Sequence, residues 1–223
     1  FFGTSRLYNE NTPLSKRNHF TIYNALPPGF SIVRENRSFV RPITIGVVSR
    51  LEEIKGMDWV VPAFAQVKKR YPDTRLVIVG EGSLRVKMQR QAQEFDCTDN
   101  VEWAGRQPQE RLMEWYRRMD IVLMPSRSEG FGLTAIEAMA NGCVVVASRT
   151  GGLPEVVQDG EVGLLHKVGS IDDMANKIIS LIATPELLQK YSSKAIRYVR
   201  RYSFERYSQL FNDLYKRLIT TKR

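Results

Sequence analysis

Asp120-Ile-Val-Leu-Met124-Pro125-Ser126-Arg-Ser-Glu129-Gly130-Phe131-Gly132-Leu133-Thr-Ala-Ile-Glu137-Ala138-Met139-Ala140-Asn141-Gly142-Cys143-Val-Val-Val-Ala147 is the stretch on which the fold turns. Asp120–Met124 is an apolar run of strand length, stopped by Pro125-Ser126. Leu133–Ala140 has the composition of a short buried helix, and Asn141-Gly142 is a fitting stop signal. Cys143–Ala147 is a second strand-length run. Strand, turn, helix, strand is the repeating unit of a parallel sheet, because parallel neighbours need a crossover between them.

The same alternation extends outward in both directions. Upstream, strands are predicted at Ile43–Val48, Arg75–Val79 and Val101–Ala104, with helical spacing at Met57–Arg70, Ser83–Phe95 and Gln109–Arg118. Downstream, Gly151-Gly152-Leu153-Pro154-Glu155 opens a short helix, Gly163–His166 is a sixth strand, and Ile171–Ala183, Pro185–Arg201 and Phe204–Ile219 read as helices. Six strands interleaved with helices predict an α/β fold, a doubly wound, Rossmann-like parallel sheet covered on both faces. Ligands of such sheets bind beyond the carboxyl ends of the strands. Residues 1–42, punctuated by Pro13, Pro27-Pro28-Gly29 and Pro42, read instead as a linker plus the remnant of an upstream domain.

Composition narrows the class. With 43% hydrophobic and 26% charged residues, the 223-residue chain is a globular protein rather than a disordered or fibrous one. No apolar run approaches the roughly 20 residues that span a bilayer, and Phe1-Phe2-Gly3-Thr4 carries no signal-peptide pattern. Cys97 and Cys143 have neither metal-ligand spacing nor a disulfide framework, so they read as thiols of a reducing, cytoplasmic compartment. The net charge of +9 sits at the two ends: residues 1–50 carry 7 basic and 2 acidic side chains, and residues 194–223 carry 9 and 2. Basic ends attract phosphates, anionic lipid or nucleic acid, or simply form solvated faces.

The chemistry concentrates on turns that follow strands. Gly130 and Gly132 let the backbone approach a ligand closely, and the helix that begins at Leu133 points free N–H groups and its dipole at an anion. Glu129 and Glu137 flank that turn, separated by on the order of 10 Å of partly helical chain. That separation suits the two ends of a nucleoside diphosphate sugar better than the roughly 5 Å spacing of a retaining glycosidase pair. Glu137 lies among Ile136, Ala138, Met139 and Ala140, where a carboxylate without a partner is costly. Arg50 and Lys55, just after the first strand, offer a planar fork and a compact charge that together suit a diphosphate.

From Ile43 to Ala183 the chain resembles the C-terminal domain of glycosyltransferase family four, retaining enzymes of the GT-B fold. The resemblance rests on Arg50-Leu51 with Lys55-Gly56, Val79-Gly80-Glu81-Gly82, Gly105, Asp120 with Pro125-Ser126, Glu129-Gly130-Phe131-Gly132, Glu137-Ala138-Met139-Ala140 with Gly142, and Gly151-Gly152 with Pro154-Glu155. It implies a donor-binding domain over residues 43–201 and, over 202–223, a helix returning toward an N-terminal domain that would carry the acceptor site. That domain is essentially missing from these 223 residues, so activity is expected to require it. The resemblance assigns Arg50, Lys55 and the backbone around Gly132 and Leu133 to the donor diphosphate, with Gly130 and Phe131 also among the donor-binding residues. It further assigns Glu137 to the ribose hydroxyls, Glu129 to the transferred sugar, and the Gly105-Arg106 turn to the base. Arg50, Lys55 and Glu129 are the catalytic candidates. No metal or other cofactor is expected; an Asp-x-Asp pair is absent and His19 and His166 stand isolated. Where the family usually carries Gly and an acidic residue after Asn24, this chain has Ala25-Leu26, and Cys143 stands where Pro is usual.

The implied partners are a nucleotide-sugar donor, a glycan or glycolipid acceptor, and peripheral anionic membrane at the cytoplasmic face. Two other classes stay open: a nucleotide-sugar epimerase of the same fold, and a non-catalytic module. Tyr198, Tyr202, Phe204 and Tyr207 interleave with terminal charges as a nucleic-acid surface would, but their helical spacing suits core packing better.

Overall fold

A computed structural model of the protein describes residues 2–3, 20–33 and 37–220. Its body is a six-stranded, all-parallel sheet: β1 Thr44–Val48, β2 Arg75–Val79, β3 Val101–Gly105, β4 Ile121–Met124, β5 Val144–Ser148 and β6 Gly163–His166, in the spatial order β3-β2-β1-β4-β5-β6. The order reverses between β1 and β4, which opens a crevice between the loops that follow those two strands.

Each strand alternates, because successive side chains point to opposite faces. Ile45, Val47, Leu76, Ile78, Ile121, Leu123, Val144 and Val146 enter one core. Val48, Val77, Val79, Val122, Met124, Val145 and Ala147 enter the other. The first core is closed by α1 Val60–Arg70, α2 Arg85–Glu94 and the later helix α6 Ile171–Ala183, through Phe64, Met88 and Ile178. The second is closed by α3 Leu112–Arg117, α4 Leu133–Ala140, α5 Leu153–Val156 and α7 Pro185–Val199, through Tyr116, Ile136, Val156 and Ala195. Ser170 caps α6 by accepting the Asp173 N–H, and Pro185 occupies the first turn of α7. The predicted helices over 57–70 and 109–118 each begin with a single 3-10 turn, at Met57–Trp59 and Gln109–Arg111.

β1 lies close to the segment joining α3 to β4. A methyl group on Gly46 would overlap the Met119 thioether, which is fully buried. Gly46→Ala is therefore expected to lower unfolding stability by about 1–3 kcal/mol, the usual cost of overpacking, measured as a shift of the urea midpoint.

The leading segment is more tightly docked than its polar composition suggests. Residues 4–19, which include Pro13 and His19, and 34–36 lie outside the described residues. Phe2–Gly3 pairs in parallel with Phe20–Thr21. Ile22 and Leu26 are buried, Tyr23, Phe30 and Ile32 pack on the second core, and the Leu26 N–H bonds the Tyr202 carbonyl at 2.8 Å. Arg37 reaches the opposite rim, where it pairs with Asp120 at 3.2 Å and donates to the Arg117 and Asn141 carbonyls. A stretch read as irregular thus spends its apolar residues covering the sheet.

At the other end, α8 Phe204–Thr220 follows a 3-10 turn at Arg200–Tyr202. Tyr202 is buried and Tyr198 is half-buried, donating its hydroxyl to the Glu155 carbonyl at 2.9 Å. These two rings belong to the packing of the domain: they meet edge to face at 5.8 Å, and the Arg201 guanidinium lies over Tyr198 at 4.3 Å. Among the described residues, no helix is long and apolar enough to cross a membrane.

Candidate active site

The crevice at the strand-order reversal holds a cleft of about 660 Å³, within the range of small-ligand sites. Its walls come from the turns after three strands and from two helical segments: Val48, Ser49 and Arg50 at the end of β1, Gly80, Glu81 and Gly82 after β2, Arg106 and Gln107 after β3, Gln109 and Leu112 leading into α3, and Leu133, Thr134 and Glu137 on α4. A small adjoining cavity shares Val48, Ser49 and Thr134 and adds Lys55, Ser126 and Glu129. Both predicted cations therefore lie on the rim from which α4 starts.

The start of α4 is built for close approach. Gly132 caps it with φ 102°, a left-handed conformation, and a Cβ there would stand 2.8 Å from Leu153 Cδ2. A glycine is required on both counts. No side chain caps the helix, so its first N–H groups remain available, as anion binding at a helix start needs. Leu133 is exposed at this edge.

Lys55 and Glu129 meet directly. The ammonium donates to Glu129 Oε2 at 2.7 Å, with the side chains 24% and 15% exposed. Their loops touch closely: Gly56 has φ 65°, and a Cβ at that position would overlap the Pro125 carbonyl. On its other side the Glu129 carbonyl accepts the Gly152 N–H at 3.1 Å. The Gly56 and Gly151-Gly152 motifs thus serve the same end, allowing neighbouring loops to press against the Glu129 turn.

Glu137 is buried, and each of its carboxylate oxygens accepts one bond from the protein. Tyr116 donates its hydroxyl to Oε2 at 2.8 Å and Gln109 donates its amide to Oε1 at 3.3 Å. Burial still outweighs these bonds and raises the carboxyl above its ordinary range. A solvent-paired glutamate on a helix face is excluded. Tyr116 and Gln109 carry no motif of their own; the signal that points to them is the apolar context of Glu137, which demands donors.

Other candidates sit less centrally. The Phe131 side chain is buried, with ring centroids 5.9 Å from Tyr23 and 5.7 Å from Tyr202. Its side chain belongs to the second core, so contact with a ligand at this residue falls to its main chain. Gly130 faces open space, and Gly105 forms the β3 turn with φ 68° beside the cleft-lining Arg106. Cys143, which stands where the family usually has Pro, is fully buried, and burial pushes its thiol up to about 12. His166 is buried beside Ser148, and among the described residues no three His, Cys, Asp or Glu side chains gather as metal ligands would.

A doubly wound parallel sheet with a crevice at its strand-order reversal, bordered by cations, a glycine-capped helix start and a buried carboxylate, is an architecture suited to an anionic ligand. The model of the family described as glycosyl transferases group 1 matches residues 31–198, and the chain belongs to that family. Over 165 residues it is 36% identical to the D-inositol 3-phosphate glycosyltransferase of Segniliparus rotundus, covering 72% of this chain and 37% of that protein. Over 152 residues it is 34% identical to the GDP-mannose-dependent alpha-(1-6)-phosphatidylinositol monomannoside mannosyltransferase of Mycolicibacterium smegmatis, covering 65% and 40%. The chain thus spans less than half the length of these curated relatives. Among solved structures it superposes on a TarM variant of S. aureus, in complex with fondaparinux, alpha-GlcNAc-glycerol and UDP, with TM-score 0.82 and 25% identity over 96% of this chain and 43% of the other. It also matches the C-terminal domain of the glycosyl transferase group 1 protein LpcC of Francisella tularensis, with TM-score 0.67 and 28% identity over 73% and 87%.

Proposed function

We infer that this chain is the donor-binding part of a retaining glycosyltransferase. Residues 43–201 hold a nucleotide sugar, and within 202–223 the helix Phe204–Thr220 returns toward an acceptor-binding N-terminal domain. The observation that carries the reading is a cleft lined by Arg50, the α4 start and Glu137, with the Lys55–Glu129 pair in a small adjoining cavity that shares Val48, Ser49 and Thr134 with it. Membership of the glycosyl transferases group 1 family favours transfer over epimerisation, and UDP in the TarM variant's complex supports a nucleoside diphosphate leaving group.

In this arrangement the diphosphate lies against the first N–H groups of α4, with Arg50 and Lys55 drawn to its oxygens. Glu137 accepts the ribose hydroxyls, Arg106 borders the base, and Glu129 faces the transferred sugar. As the bond from the anomeric carbon to the diphosphate oxygen breaks, negative charge grows on the leaving group. Two cations and a helix dipole stabilise that charge without a metal ion. The acceptor, a glycan or glycolipid, is supplied from the N-terminal domain. The basic ends rest against anionic lipid at the cytoplasmic face and take no part in nucleic-acid binding.

The test is a thermal-shift panel of uridine, guanosine and adenosine diphosphates and their sugars. One base is expected to stand out. At a hundredfold excess over its dissociation constant it should stabilise the fold by about 2.7 kcal/mol, raising Tm by several degrees. A flat response across the panel would reject the donor site.

A further inference from the structure

The loop that presents Lys55 and the loop that presents Glu129 are joined by one further side chain. Arg127 lies two residues before Glu129, and its guanidinium forks onto Asp58, Nη1 to Oδ1 at 2.8 Å and Nη2 to Oδ2 at 2.9 Å. The same group stacks on Trp59, 3.9 Å above the ring centroid, and also donates to the Glu53 carbonyl. The Arg127 main chain continues the joint: its N–H bonds the Ile54 carbonyl at 2.9 Å, and its carbonyl accepts the Thr150 hydroxyl at 3.2 Å. Residues 53, 54, 58 and 59 are thus all tied to Arg127, and Lys55 sits inside the span they define.

We propose that Arg127, with Asp58 and Trp59, is a positioning clamp that sets the distance between Lys55 and Glu129. Lysine is a point charge on a four-carbon stem with large rotamer freedom. Its place at 2.7 Å from Glu129 is therefore decided by where the backbone of 53–56 is held. A planar fork bound on two edges and stacked on a ring holds that backbone in angle as well as distance. The pairing also pulls the Asp58 carboxyl below its ordinary range, chiefly through the Arg127 bonds, so the clamp keeps both charges at neutral pH. The clamp touches neither cleft nor cavity wall and acts only through the two loops. Its consequence for donor binding rests on the function proposed above; its mechanical claim does not.

The experiment separates the two. Acetylation of lysines by N-hydroxysuccinimidyl acetate, read by peptide mass spectrometry without nucleotide, reports the Lys55–Glu129 pairing directly. Lys68 is an internal control, since its side chain is equally exposed at 24% and its partner is Asp96. In Arg127→Gln and in Asp58→Asn, Lys55 is expected to label several-fold faster while Lys68 is unchanged. Nucleoside diphosphate affinity should fall about tenfold in both variants, as a modest misplacement of a binding group would cause, with Tm nearly constant. Unchanged Lys55 labelling in both variants, or a rise shared by Lys68, would overturn the clamp. Failure of every nucleotide to bind the wild-type chain would instead count against the donor site, leaving the labelling result to stand.

Discussion

With Arg50 and Lys55 both replaced by alanine, nucleoside diphosphate binding is expected to weaken about a thousandfold while the fold is retained. A hydrogen bond to a charged group contributes about 1.5–3 kcal/mol, so two lost cations remove about 4 kcal/mol, which is three decades in dissociation constant. The fold should tolerate the change because Arg50 is exposed and Lys55 is a partly exposed member of a single ion pair. The single variants should not be equal. Removing Lys55 deletes a cation and also releases the Glu129 carboxylate, whose charge then faces the incoming diphosphate. Lys55→Ala is therefore expected to be the worse of the two, and adding Glu129→Gln to it should recover part of the affinity. Isothermal titration at two ionic strengths checks both points, since the wild-type affinity should fall more steeply with salt than that of the double variant. Equal affinity in the wild type and the double variant would remove these residues from the diphosphate.

The ordering within the site shows what the amino-acid sequence could and could not disclose. The sheet was legible because period-two and period-3.6 patterns are local: β-branched runs at Ile43–Val48 and Cys143–Ala147 mark strands without reference to any partner. Arg75–Val79 and Gly163–His166 stand as read, and the other four strands differ from the reading by a residue at one or both ends, where hydrogen bonding to a neighbour decides the boundary. Strand order is not local, yet right-handed crossovers restrict it enough that the rim carrying Arg50, Lys55 and the α4 start could be anticipated.

Contacts made between distant turns are the part that local pattern does not reveal. Gly80-Glu81-Gly82 enters the reading as a strand's end and as a motif of the resemblance, with no role assigned to it, and it lines the cleft because β2 lies beside β1. Arg127 and Asp58 are 69 positions apart, and nothing in either segment announces a bidentate pair. Tyr116 falls on a packing face by its helical spacing, which is true of its ring; its hydroxyl serves Glu137. The leading segment misleads for a related reason. Proline and polar residues mark it as irregular, and irregular it is, yet Ile22 and Leu26 are as buried as many core side chains. Irregular backbone and weak docking are separate properties, and composition reports only the first.

Glu137→Gln is expected to move stability and binding in opposite directions. Two bonds hold the carboxylate, from Tyr116 and Gln109, and both favour its ionised form, but desolvation is the largest influence and raises the group above 4.5. Between 4.5 and that raised value the native state keeps a proton that the unfolded chain has released. Linkage then requires unfolding stability to fall as pH rises through this window, and above it the buried charge carries its full cost. A glutamine amide at this position has the same shape as the carboxylate and no charge, so the variant should gain about 1 kcal/mol at neutral pH. It should also lose the wild type's decline of stability across the window. Binding responds the other way, because a charged acceptor for two ribose hydroxyls is replaced by a neutral amide with one acceptor oxygen. A loss of about 2 kcal/mol, roughly thirtyfold in affinity, is expected. Urea unfolding from about pH 4 to 8, paired with titration of the nucleoside diphosphate, reads both signs on the same protein. A variant that is less stable at neutral pH would mean that the Tyr116 and Gln109 bonds outweigh burial. A variant that binds as tightly as the wild type would take the ribose away from Glu137. If both signs hold, the domain keeps at its centre a carboxylate that weakens the fold, and the reason for keeping it lies in the ligand.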